Sequence, residues 1–200
     1  MKGTTKIEVM LNDATELKRI MYSGGFEMPA LMHEIINYGI SGFLGGRNPA
    51  VCNNYDLSRF ESAHGQDIDG YADALQQMRA GKKTGHWMWY IFPQIKGLGE
   101  SENSQKYALA GVDEARAFLF DHTLGRHLLE IVDAILAHRG KKIESIMVTN
   151  VDVKKLRSSM TLFEIADPSE KRFGKVLDRF FKGKRDGKTL KLLKNISTQN

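Results

Sequence analysis

Two short segments carry most of the side chains able to bind or process a ligand. The first, KTGHWMWYIFPQIKGLG over residues 83–99, sets His86, Trp87, Trp89, Tyr90 and Phe92 close together and holds both tryptophans of the chain. An imidazole near its ordinary value exchanges a proton at neutral pH, so His86 is the best catalytic candidate. Trp87 and Trp89 are candidates to stack on a ligand ring, and Gln94 adds an orienting amide. The second segment, KLRSSMT over residues 155–161, offers the ammonium of Lys155 and the hydroxyls of Ser158, Ser159 and Thr161 for an anionic group. Each segment also has a plainer account. The aromatic run fits a core wall, and hydroxyls inside a helix bond back to carbonyls one turn earlier. Three of them in an amphipathic helix are nevertheless costly for propensity, so something must offset that cost.

The functional reading is therefore a pocket for a small phosphorylated or nucleotide-like ligand. No nucleophile stands at a spacing that pairs it with a base, so whether a reaction follows binding is left open. Other signatures fail. His33-Glu34-Ile35-Ile36-Asn37 begins like a zincin helix but has Asn where the second imidazole must stand. Gly39, Gly42 and Gly45 lack the preceding strand and following Lys-Ser/Thr of a phosphate-binding loop. His122, His127 and His138 surround one helix at spacings that do not align two metal ligands, and read as surface histidines. The expectation is no metal and no cofactor.

The elements that must position these groups read as helical. As a helix, the 86–92 run places Trp87 with Ile91 and Met88 with Phe92; as a strand, it puts the two tryptophans on one side. Pro93 ends either form. Asp56 caps a short helix over LSRFESA, and GYADALQQMRA stops at Gly81. ENSQKYALA and VDEARAFLF follow, then a longer helix from Asp121 in which Leu124, Leu128, Ile131 and Ile135 recur. Thr149 with Asp152 forms a capping box for VKKLRSSMTLFEI, with Val153, Leu156, Met160 and Phe163 inward. Asp167, Pro168 and Glu170 suit N-cap, N1 and N3 of a helix over KRFGKVLDRFF, and Asp186 starts a last one. The expected class is all-α, a compact multi-helix domain over 53–194 with short connections and a tail over 195–200. Residues 1–52 read separately, as a helical hairpin on a Gly-rich tether.

The chain has 200 residues, 42% hydrophobic and 26% charged, which suits one core rather than disorder. Its single cysteine, Cys52, excludes an internal disulfide and a multi-cysteine zinc site, and fits a reducing compartment. The N-terminus MKGTTKIEVML has no signal-peptide core, and the longest apolar run cannot cross a bilayer. The expected location is the cytoplasm, with no membrane partner. Residues 171–194 hold ten Lys or Arg against Asp178 and Asp186, a net charge of +8 in a chain of +5. That block gives the alternative function: a non-enzymatic binding module whose basic C-terminal helices meet nucleic acid or an acidic protein.

Taken together and in order, YDLSRFESA, YADALQQMRAGKKTGHWMWYIFPQIKGLGES, DEARAFL, LGRHLLE, VKKLRSSMTLF and LDRFFKGKRDGKTLKLL resemble the bacterial and fungal family known as domain of unknown function 1810. Some of its members carry a calpastatin label. The resemblance spans roughly residues 54–193 and implies a compact, mainly helical domain. It brings no activity with it. Its shared blocks fall on His86, Trp87, Met88, Trp89, Phe92, Pro93 and Gln94, and on Leu156, Ser158, Ser159, Met160, Thr161 and Phe163. The chain departs from the family pattern at TNVDV before the second block and at Thr123, where proline is common; neither departure touches a candidate polar group.

Overall fold

Ten helices and no strand make up residues 55–197, the residues that the computed structural model describes. They are α1 (Ser58–His64), α2 (Tyr71–Ala80), α3 (Met88–Ile91), α4 (Glu102–Lys106), α5 (Val112–Phe120), α6 (Leu124–Ala137), α7 (Ile143–Met147), α8 (Asn150–Ala166), α9 (Lys171–Phe181) and α10 (Gly187–Ser197). The all-α expectation holds. The hairpin and tether over 1–52 lie outside the described residues. Because α10 continues through Ser197, the boundary expected after Lys194 falls within a helix.

α8 is the central element, packed against α5, α7, α9 and α10, while α6 joins α2, α5 and α9. Leu156, Met160, Leu162 and Phe163 of α8 are fully buried, and Phe163 meets Phe118 of α5 and Phe173 of α9 with ring centroids 5.6 and 5.5 Å apart. The tight passage from α5 to α6 depends on Gly125, since a Cβ there would lie 1.9 Å from the Leu119 carbonyl oxygen. Gly81 ends α2 with φ +75°, the left-handed geometry that glycine adopts without steric cost.

Side-chain hydrogen bonds cap four of the helix starts, those of α4, α8, α9 and α10. Thr149 Oγ1 accepts the Asp152 N–H at 3.0 Å, and Asp186 Oδ1 accepts the Thr189 N–H at 2.9 Å. The expected start of α9 moves. Asp167 keeps its N–H on the Phe163 carbonyl and closes a turn onto Ser169, so Glu170 becomes the cap and the helix begins at Lys171. α7 is too short for a period to register in the sequence; burial of Ile143, Ile146 and Met147 defines it. Between α7 and α8, Val148 has φ +66°, and the Thr149 N–H bonds the Met147 carbonyl at 2.7 Å, a tight three-residue turn strained for a β-branched residue.

The 86–92 run resolves as a short helix. Trp87 precedes α3 and is fully buried, as are Met88, Ile91 and Phe92, whereas His86 turns outward. Truncating a side chain like Trp87 would cost roughly 3–5 kcal/mol.

Candidate functional site

Two polar faces of α8 divide the sequence-predicted residues between them. At about 100° per residue, Asp152, Lys155 and Ser159 share one side of the helix, and Arg157 and Thr161 the other. The first side meets the segment from Lys83 to α3. The Lys155 ammonium lies 4.4 Å from the centroid of the Trp89 ring, a contact worth about 1–2 kcal/mol when partly desolvated. Lys83, whose side chain is only 9% exposed, reaches Asp152 Oδ2 at 3.1 Å and lies over the Trp87 ring at 5.0 Å. Two lysines thus cover two tryptophans, with one carboxylate between them.

That carboxylate is committed to Lys83. Asp152 was expected in a capping box, and its N–H does bond Thr149. The Thr149 N–H is already spent on Met147, so the Asp152 side chain is free to turn to Lys83. Lys155, by contrast, makes no hydrogen bond or ion pair among the described residues. Burial lowers its amine from the ordinary lysine value; the Lys83 ammonium adds to that, and Asp152 opposes it. Around it stand two further donors without acceptors: the buried indole N–H of Trp89 and the hydroxyl of Ser159, which is fully buried one turn along α8.

The second side of α8 faces α10 and is almost fully satisfied. The Asp186 carboxylate accepts from Thr189 Oγ1 at 3.0 Å, so the 2.7 Å contact between Ser158 and Thr189 must have Ser158 as donor. Thr161 Oγ1 donates to the Arg157 carbonyl at 2.8 Å and accepts the Asp186 N–H at 2.9 Å. Arg157 Nη2 pairs with Asp186 Oδ2 at 3.2 Å, while Arg157 Nε is buried without an acceptor. Ser158 and Thr161 therefore serve to seat the start of α10.

Of the remaining candidates, Trp87 lies behind this corner under Lys83, and nothing among the described residues brings His86 or Gln94 into contact with Lys155. His86 is exposed; its N–H bonds Asp69 Oδ1 at 3.0 Å, and its Nδ1 lies 3.6 Å from Asp69 Oδ2. Trp87 spends its indole N–H on Gln77 Oε1 at 2.8 Å, and that same oxygen receives the N–H groups of Thr84 and Gly85. Gln94 is half-buried, and its carbonyl accepts the Leu109 N–H at 2.9 Å beside the isolated bridge between Ile95 and Leu109. Sequence reasoning missed Lys83, Asp152, Gln77 and Asp69. Asp152 carried a signal, as half of a capping box, but the other three join the site only through the fold.

The basic C-terminal segment also sorts into two kinds. Its arginines are occupied: Arg172 by Asp133 and Glu170, Arg185 by Glu164 and Asp178, and Arg179 by the carbonyls of Leu136 and His138. Lys175, Lys182, Lys184, Lys188 and Lys191 are exposed, with no carboxylate partner among the described residues. No helix among those residues is long and apolar enough to cross a membrane, and no group of three or more metal-ligating side chains occurs among them.

Fold and site together define an all-α domain with a lysine-lined aromatic corner between its central helix and a short tryptophan-bearing one. The chain belongs to a family described as protein of unknown function (DUF1810), whose model matches residues 54–193. It is similar to the conserved hypothetical protein Rv1873 from Mycobacterium tuberculosis, known from a crystal structure: 37% identity, a TM-score of 0.67, and coverage of 71% of this chain and 99% of that one. A search of curated proteins gives no match.

Proposed function

We propose that the protein binds a small anionic ligand, phosphorylated or nucleotide-like, at the corner formed by Trp89, Lys155 and Ser159. One observation carries this reading: the Lys155 ammonium over the Trp89 ring, the buried indole N–H of Trp89 and the Ser159 hydroxyl one turn along α8 have no acceptor among the described residues. Buried donors without acceptors cost about 1–3 kcal/mol each, and an anion rich in oxygen would supply what all three lack. Lys83 adds a second positive charge behind them. Trp87 shapes the wall, since its indole N–H is spent on Gln77. His86, whose backbone N–H bonds Asp69, is the imidazole at the exposed end of the same segment. No base lies within hydrogen-bond reach of the Ser159 hydroxyl among the described residues, so the reading is one of binding.

The test is native mass spectrometry of the purified chain for co-purifying small molecules, followed by calorimetric titration with phosphorylated sugars and nucleotides. Lys155→Met should lower affinity at least tenfold while lowering the melting temperature by no more than about 5 °C. Failure of the wild-type chain to bind any such compound, or equal affinity in the variant, rejects the reading.

A second reading is favoured by the five unpaired lysines: the edge formed by α9, α10 and the turn between them meets a nucleic-acid backbone. Binding to duplex DNA would then weaken with salt, the logarithmic slope being about −0.9 per phosphate neutralised. Absence of salt-dependent retention on DNA or RNA removes it.

A further inference from the structure

Away from this corner, two imidazoles meet in a geometry that fixes the protonation of both. His64 of α1 is buried, and its Nε2 lies 2.9 Å from the carbonyl oxygen of Tyr90 in α3. A carbonyl only accepts, so that nitrogen carries the proton and His64 Nδ1 offers a lone pair. His64 Nδ1 stands 3.1 Å from His127 Nδ1 of α6, which must therefore donate. His127 Nε2, left as the acceptor, lies 3.3 Å from the guanidinium Nη2 of Arg126. The chain of donors runs from Arg126 through both rings to Tyr90. A proton added to His64 sets two N–H groups against each other; one added to His127 faces the Arg126 guanidinium.

We infer that His64 and His127 form a pH-sensitive latch that joins α1, with the Tyr90 carbonyl it carries, to α6 and opens between the two rings when the pair takes up a proton, the His64 Nε2–H bond to Tyr90 being kept. The surrounding groups offer little compensation. Tyr71 of α2 stacks on His127 with centroids 3.5 Å apart and planes 6° from parallel, and its hydroxyl donates to Glu130 at 2.6 Å. Glu130 of α6 also holds Arg79 of α2 at 2.7 Å and Arg126 at 4.0 Å. Asp121, before α6, accepts the N–H groups of Thr123 and Leu124. From α3, Tyr90 sends its hydroxyl to the Asp69 carbonyl at 2.9 Å. Burial holds His127 at about 4, with His64 and Arg126 adding to it, and burial likewise lowers His64. For a base held below its ordinary value, the contact is fully formed above about pH 6.5 and is lost as the pH falls from there toward the lowered value.

Both tryptophans of the chain lie in the segment bonded to His64, so intrinsic fluorescence of the full-length protein reads a change in its surroundings as α1 parts from α6 without a label. As the pH falls from about 6.5 toward about 4 the emission should shift to longer wavelength before the helical circular dichroism is lost. The double variant His64→Gln/His127→Asn keeps an amide chain of donors and acceptors that takes no proton there, and it should lack the shift. Constant emission down to the pH where helicity itself collapses overturns the latch, as does an unchanged shift in the double variant. Should that variant not fold, ring-proton NMR of the wild-type chain decides: His127 titrating well below the ordinary histidine value upholds the latch, and His127 titrating at that value overturns it.

Discussion

The two polar faces of α8 are built from the same kinds of residue and end in opposite states. Toward α10, Ser158 and Thr161 have every hydroxyl partner they need, and Asp186 gathers a helix cap, a hydroxyl and a guanidinium. On the other side, Ser159 and Trp89 keep donors without acceptors among the described residues, and Lys155 has the Trp89 ring of α3 where an anion would ordinarily stand. The difference teaches that hydroxyls within a helix are not one signal. Those opposite a helix start are satisfied by that start. The Ser159 hydroxyl, buried away from that start, is not satisfied among the described residues.

If the α10 face is structural and the α3 face is not, substitutions should separate them. Asp186→Ala should have the largest effect, roughly 2–3 kcal/mol from the lost cap and the unpaired Arg157, read as a lower urea midpoint. Thr161→Val keeps the volume but leaves the Asp186 N–H without an acceptor; about 1–2 kcal/mol is expected by the same measurement. Lys155→Met loses the cation–π contact but keeps an apolar chain on the Trp89 ring, so a loss of about 1 kcal/mol is expected. Ser159→Ala, which removes a buried hydroxyl without an acceptor, should leave stability unchanged or raise it by about 1 kcal/mol. A loss at Ser159 as large as that at Thr161 would erase the contrast.

pH separates the faces by range: each contribution rises with pH, one in acid and the other in alkali. Burial alone would raise the Asp186 carboxyl, but hydrogen bonds from Thr189 and the Arg157 guanidinium outweigh it and hold it below its ordinary value of 3.8. That contribution is present above about 3.8 and disappears as the pH falls through the lowered value. Lys155 is a base held below its ordinary value of 10.5, so the unfolded chain binds more protons in alkali. Stability should therefore rise as the pH climbs from the lowered value toward 10.5, a small gain that Lys155→Met abolishes in alkaline urea titrations.

Much of the fold is legible in the residues. The caps at Thr149 and Asp186 and the stop at Gly81 stand where their local chemistry puts them. α7 is not legible, because five residues hold too little of a period. The start of α9 misleads, because Asp167 answers to the end of α8 as well as to the helix that follows. Within the site, proximity of Trp89 to Lys155 follows from no spacing, and His127 reads as a surface histidine until α1 brings His64 against it.

The sequence by itself determined the helical class, most helix ends and the two segments worth attention, because helix periodicity and capping act over three or four residues. Only the tertiary structure decided which hydroxyl seats α10, which lysine lacks a carboxylate and which imidazoles share a proton. Those outcomes depend on groups far apart in the chain, whose hydrogen bonds are exchanged with water until packing removes it.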